Sequence, residues 1–194
     1  MAHFLVIHGL ENHRPEGHWH RILTSELRLL GHVVAYPQLP NPDSPDLNEW
    51  LEVIETELQL LREAGAIEVM VIAHSLGCVT WLQYIQKHVV PLEVSRVLLV
   101  APADPQLLHQ APTFVQDLDI AASGEALRKQ NPTIIASDND YWLPRGIAET
   151  FSNALQVTPL VWKDAAHFSL SDGWGKWDGV RNWSLDPAAE LQIR

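Results

Sequence analysis

Short apolar runs of a strand's length recur along the chain, and the stretches between them carry apolar residues at helical spacing. Phe4–His8 is nearly all apolar and rich in Val and Ile, which suits a parallel strand covered on both faces. Between Trp19 and Leu30, residues Ile22, Leu23, Leu27 and Leu30 share one helical face, Gly31 stops the run, and Val33–Tyr36 reads as a second strand. Pro37–Pro45 is a proline-rich loop. Leu47, Trp50, Leu51, Ile54, Leu58 and Leu61 then mark a long amphipathic helix ending near Gly65, and Glu68–Ala73 is a third strand. A helix over Leu76–His88, a strand at Val94–Val100, a strand at Thr133–Ala136, a helix over Arg145–Leu155, a strand at Val157–Trp162 and a broken helix over Trp177–Ile193 continue the alternation. Ala101–Gln130 is less periodic and long enough for a small cap. The alternation predicts an α/β fold, a mostly parallel central sheet with helices on both faces, in which functional groups lie in loops after the strand C-termini.

The chain has 194 residues, without an internal repeat or a linker, so a single domain over residues 1–194 is expected. Apolar residues make up 46% and charged residues 19%, an ordinary balance for a soluble globular domain. Acidic residues number 24 against 13 Lys and Arg, and the resulting charge of −11 disfavours nucleic acid or an anionic membrane as a partner. No apolar run approaches the roughly 18 residues that a spanning helix needs. The lone cysteine, Cys78, has no internal partner for a disulfide, and no basic segment precedes the first apolar run, so a reducing cytoplasm is the expected location.

The third strand ends in Ala73-His74-Ser75-Leu76-Gly77, followed at once by the apolar helical run Cys78, Val79, Trp81, Leu82 and Ile85. Small residues flanking a serine between strand and helix permit a strained turn that lifts the hydroxyl off the sheet, the setting of a nucleophile elbow. The bland alternative makes Ser75 the cap of the following helix. A serine nucleophile needs a base, and the base needs a carboxylate to hold its tautomer. Both follow in order. Thr133–Ala136 runs into Ser137-Asp138-Asn139-Asp140-Tyr141-Trp142, and Val157–Trp162 leads into Lys163-Asp164-Ala165-Ala166-His167-Phe168. His167 is the expected base; on spacing alone either Asp138 or Asp140 is the acid, the other being a turn aspartate, with Asp164 a weaker third. After the first strand, His8-Gly9-Leu10 makes a tight turn, and the N–H groups of Leu10 and Leu76 are the expected oxyanion donors.

These residues resemble the α/β-hydrolase superfamily, and within it the small serine hydrolases of the retinoblastoma-binding protein nine family and its bacterial relatives. The likeness spans nearly the whole chain. It rests on His8-Gly9, His18-Trp19, the Ala-His-Ser-Leu-Gly elbow, Asp140 with Pro144 four residues on, Ala166-His167-Phe168, and Gly173-Trp-Gly-Lys-Trp177. The resemblance implies Asp140 as the acid, although Tyr141 stands where the family has a proline and Ala73 where the elbow usually has glycine. It further implies a compact fold without the superfamily's leading hairpin, with little or no lid, acting on small esters or related acyl compounds. A Leu-x-Cys-x-Glu peptide is absent, since Leu76-Gly-Cys-Val-Thr80 ends in threonine.

Other features carry less. His13, His18 and His20 cluster, but His18 and His20 stand two apart and share no helix face, so no metal is expected; they line an entrance or cap a helix. Gly9 is followed by Leu10 and Glu11 rather than spaced glycines, and no nucleotide cofactor is expected. Trp50 and Trp81 belong in the core, Trp142 is placed to wall a pocket, Cys78 is a buried small hydrophobe, and His74 sits beside the turn without a chemical role. The function expected is ester hydrolysis through Ser75, His167 and Asp140 on a small-molecule acyl substrate. The alternative is a catalytically idle binding protein on the same scaffold.

Overall fold

The computed structural model describes residues 1–192. Six strands form one sheet: β1 (His3–Ile7), β2 (Val33–Ala35), β3 (Glu68–His74), β4 (Glu93–Val100), β5 (Pro132–Ser137) and β6 (Leu160–Trp162). Their order is β2-β1-β3-β4-β5-β6, and every neighbouring pair is parallel. The helices are α1 (Trp19–Leu29), α2 (Leu47–Glu63), α3 (Leu76–Lys87), α4 (Ile120–Arg128), the single turn α5 (Asn153–Leu155) and α6 (Asp178–Leu185).

The layering follows from connection handedness. From β1 the chain steps outward to β2, then returns past β1 to β3 and continues in that direction to β6. Right-handed crossovers therefore put α1 on one face and the helices of the later crossovers on the other. Side-chain alternation along the strands agrees. Leu5, Ile7, Val71, Ala73, Val97 and Leu99 join the core that contains α2 and α3. Phe4, Val6, Ile72, Leu98 and Val100 join a second core with Trp19, Leu23 and Leu27 of α1 and Val180 and Trp183 of α6. Trp50 and Trp81 are fully buried, as their helix faces predict. Among the described residues no helix is long and apolar enough to cross a membrane.

Three stretches differ from the sequence expectation. The strand expected from Val157 begins only at Leu160, because Pro159 has no N–H to give the ladder. The helix expected over Arg145–Leu155 is a π-helical turn, Ala148–Ser152, running into α5, with Ile147, Phe151 and Leu155 buried. The terminal helix stops at Leu185, ahead of Asp186-Pro187, where proline disfavours a helical residue before it; Ile193, its expected end, lies outside the described residues.

The stretch expected as a small cap, Ala101–Gln130, is mostly a layer element. It makes two 3₁₀ turns, Pro105–Leu107 and Pro112–Phe114, then α4, which packs against α3 and α5. It is tied down at Asp104, a buried carboxylate held by two bonds from the Arg145 guanidinium, at 2.7 and 2.6 Å. Burial alone raises the Asp104 pKa, but the Arg145 and Gln106 hydrogen bonds outweigh it and the carboxyl ends below its ordinary value.

Candidate active site

The point where the strand order reverses is the gap between β1 and β3, and ligands of open parallel sheets bind outside strand C-termini at such a point. Ile7 pairs with Ala73 in the ladder, so the next residues of the two strands leave the sheet side by side. Gly9 and Ser75 consequently meet. A Cβ on Gly9 would stand 2.8 Å from Ser75 Cβ, and one on Gly77 only 2.6 Å from the Ile7 carbonyl oxygen. Both positions need glycine because the loop after β1 and the start of α3 are in van der Waals contact. Ser75 has φ 56° and ψ −123°, a conformation that costs a residue with a side chain roughly 1–3 kcal/mol. The turn is held by Ser75 N–H donating to the Val100 carbonyl and Cys78 N–H donating to the Ser75 carbonyl, each at 3.0 Å. The Ser75 side chain makes no capping bond to α3, so the helix-cap alternative is excluded.

Its hydroxyl instead lies 2.8 Å from His167 Nε2. His167 Nδ1 lies 2.9 Å from both carboxylate oxygens of Asp140, whose Oδ1 also accepts the Trp142 N–H at 2.8 Å. All three residues are buried, and Ser75 and His167 line a cleft of about 260 Å³. Asp138 goes elsewhere: its Oδ1 accepts the main-chain N–H of the exposed Asp164 at 2.9 Å. Geometry thus joins Ser75, His167 and Asp140, and leaves Asp138 and Asp164 outside. Leu10 lies on the cleft wall, and Leu76 is the first residue of α3, where an N–H has no acceptor within its own helix. Tyr141 and Trp142 both line the cleft, which settles Trp142 as a wall residue.

The loop that carries His167 is unusual. Asp164, Ala166 and Phe168 all have positive φ, at 54°, 51° and 56°, and none is glycine. Side chains hold most of its main-chain N–H groups and several of its carbonyls. Asp138 Oδ1 accepts from Asp164, Ser137 Oγ from Ala165, and Asn139 Oδ1 from Ala166. Asp172 Oδ2 accepts both His167 N–H and Ser169 N–H at 3.1 Å. On the carbonyl side, Trp174 Nε1 donates to Ala165, Trp19 Nε1 to Phe168, and His74 Nε2 to His167, at 2.8, 3.0 and 2.8 Å. Sequence reasoning gave His74 and Asp172 no task; the structure places them on either side of the His167 peptide. The Ser169-x-x-Asp172 spacing, which suits a side-chain-capped turn, is the one local signal for Asp172.

Four histidines besides His167 are buried in this region, His18 and His74 among the residues that line the cleft. His8 donates from Nδ1 to the Gly9 carbonyl and accepts the Leu39 N–H at Nε2, at 2.9 and 3.0 Å, which fixes the turn after β1. His18 caps α1, accepting the His20 N–H at Nδ1. His20 and His74 are buried, and both nitrogens of His20 and Nδ1 of His74 lack a partner among the described residues. His13 alone of the expected cluster is at the surface, paired with Asp43. Among the described residues no three acidic, cysteine or histidine side chains converge as metal ligands. Burial pushes His8 and His18 down to about 4, and His20 and His74 well below the ordinary value; burial likewise pushes the Cys78 thiol up, leaving it inert.

These buried neutral rings predict an acid-labile fold. Unfolded, each takes a proton near pH 6.5, whereas folded His8 and His18 refuse it until about pH 4. Below the unfolded value the unfolded chain binds more protons, so stability is full above pH 6.5 and falls as the pH drops toward 4. Each such ring contributes a slope of up to about 1.4 kcal/mol per pH unit. Urea midpoints measured across this range should fall steeply on acidification, and midpoints that stay level down to about pH 5 would contradict neutral, buried rings.

A parallel six-stranded sheet with a serine, a histidine and an aspartate joined at its carboxyl edge is an α/β-hydrolase fold, and solved structures share it. The chain belongs to the serine hydrolase family, whose model matches residues 4–183. It is 23% identical over 171 residues to YdeN of Bacillus subtilis (strain 168), covering 87% of this chain and 86% of that one. The crystal structure of the ydeN gene product superposes with a TM-score of 0.73 at 21% identity, over 95% of this chain and 97% of the other. Est1E from Butyrivibrio proteoclasticus gives 0.69 at 14% identity, over 97% and 89% of the two chains. Esterase B of Lactobacillus rhamnosis, in a structure inhibited by a tributyrin phosphonate, gives 0.62 at 19%, over 98% and 72%.

Proposed function

We propose that the chain is a carboxylesterase working through an acyl-enzyme on Ser75. The observation that carries this reading is the unbroken hydrogen-bonded sequence from Ser75 Oγ through both nitrogens of His167 to the Asp140 carboxylate. Ser75 Oγ attacks the ester carbonyl carbon while His167 Nε2 takes its proton, and Asp140 holds the ring with Nδ1–H and stabilises the imidazolium. The carbonyl oxygen, now carrying the negative charge, receives the N–H groups of Leu76 and Leu10. Collapse breaks the bond to the alcohol oxygen, which leaves with the proton from His167. A water molecule then gives its proton to His167, attacks the acyl carbon, and releases the acid as Ser75 regains its hydrogen. An esterase and lipolytic enzymes among the structural neighbours support the ester class.

The cleft is small for a ligand site, near the low end of the usual ~300–1,000 Å³ range, and its apolar wall includes Leu10, Leu108 and Trp142. Short acyl groups fit it. Across p-nitrophenyl esters from acetate to laurate, kcat/KM is expected to peak at four carbons or fewer and to fall about tenfold or more by laurate. A rate that climbs with chain length would overturn the small-substrate reading, and no turnover of any member would overturn the esterase.

A further inference from the structure

Asn12 and His18 both line the cleft that contains Ser75, and the proposed chemistry uses neither. Their own hydrogen bonds determine which of their atoms remain free. Asn12 Oδ1 accepts the Arg14 main-chain N–H at 2.8 Å, so the amide cannot be reversed without setting an NH₂ against an N–H. Its free end is Nδ2, a donor only. His18 Nδ1 accepts the N–H of His20 at the start of α1, at 3.2 Å. Burial keeps the ring neutral at physiological pH, and a neutral imidazole that accepts at Nδ1 carries its hydrogen on Nε2. That Nε2 lies 3.4 Å from Asn12 Nδ2. The opposite tautomer would satisfy Asn12 but turn a ring N–H against the buried N–H of His20. Two donors therefore converge on the cleft wall, and no acceptor lies between them among the described residues.

From this convergence we infer a substrate subsite: the preferred esters carry a second oxygen acceptor, a carbonyl or ether remote from the scissile group, which sits between Asn12 Nδ2 and His18 Nε2. The inference rests on the esterase reading and specifies its substrate class. A neutral acceptor fits better than a carboxylate, because Glu11 lines the same cleft and no Lys or Arg does. Where a site is built to hydrogen-bond a substrate atom, the analogue that lacks it leaves buried polar groups unpaired and is rejected.

The test compares matched esters with and without the extra oxygen. p-Nitrophenyl pentanoate and hexanoate are set against the 4-oxopentanoate and 5-oxohexanoate, and butyl butanoate against 2-methoxyethyl butanoate, each rate divided by that for hydroxide to remove inductive effects. At least one oxygenated member should exceed its alkyl partner about tenfold in kcat/KM. Asn12→Asp keeps an oxygen for the Arg14 N–H and gives the His18 Nε2–H an acceptor, which removes both free donors with almost no change of shape. In that variant the ratio should fall to about one, chiefly through KM of the oxygenated ester. Asn12→Leu should abolish the same preference by removing one donor outright. Turnover of the alkyl esters with no oxygenated partner preferred would overturn the subsite, as would an undiminished ratio in Asn12→Asp. Absence of turnover across the whole set would remove the esterase reading, and the subsite with it.

Discussion

Ser75→Ala should lower ester turnover by about 10⁴-fold or more, the scale seen when a nucleophile acting with its base is deleted. Ser75 Oγ is the hydroxyl placed 2.8 Å from His167 Nε2; Ser169 and Ser171 also line the cleft, but their hydroxyls bond each other and Asp172. Neither is poised to replace it. The fold should be indifferent to the change. The Ser75 side chain caps nothing, its left-handed backbone is equally strained with alanine, and the bonds that hold the elbow run through main-chain atoms. Thermal unfolding should therefore shift by no more than about 2–4 °C, the equivalent of roughly 1 kcal/mol in a chain of this size. Variant turnover above a few per cent of wild type, after active-site titration to exclude contaminating enzyme, would refute Ser75 as nucleophile.

Asp140→Asn should cost about 10⁴-fold in kcat through the wrong tautomer of His167. Asp140 Oδ1 already accepts the Trp142 N–H, so an asparagine would keep its oxygen there and direct its NH₂ at His167 Nδ1. The ring would answer with a lone pair at Nδ1 and a hydrogen on Nε2, leaving nothing to take the Ser75 proton. Asp138→Asn is the matched control. Its remaining oxygen can still accept the Asp164 N–H, so the loop keeps its anchor and kcat should change no more than a few-fold. Equal losses in the two variants, or a larger loss at Asp138, would contradict the arrangement.

The two aspartates also mark how far the sequence could be read. Strand runs, the elbow and the order serine, aspartate, histidine are local patterns, and most of the elements through β5 stand within a few residues of where hydrophobic spacing puts them. Choosing between Asp138 and Asp140 needed more than local spacing, because two residues in one loop differ only in which way they turn; the family resemblance pointed to Asp140, and the geometry agrees. The turn bond expected of one of the pair is made by Asp140 itself, whose Oδ1 accepts the Trp142 N–H, while Asp138 reaches across to Asp164, 26 residues on. The support of His167 was illegible for the same reason: His74 meets its carbonyl across 93 residues and Trp19 meets that of Phe168 across 149. Periodicity carries no information about such pairs. His20 shows the opposite failure. Its polarity suggested an entrance or helix-cap position, while its spacing on α1, one residue from Trp19 and three from Leu23, belongs to the buried face. The shortened β6 and the end of α6 were readable in principle, from Pro159 and Pro187.

The central claim is an activated serine at position 75, and intact mass after exposure to a fluorophosphonate tests it most directly. A serine oxygen bonds to the phosphorus of such a probe and expels fluoride only where a neighbouring base removes its proton and N–H donors hold the phosphoryl oxygen. One adduct per chain is expected, mapped to Ser75 by peptide sequencing, and none in Ser75→Ala. A folded wild-type chain that stays unlabelled, or an adduct carried equally by Ser75→Ala, would contradict it.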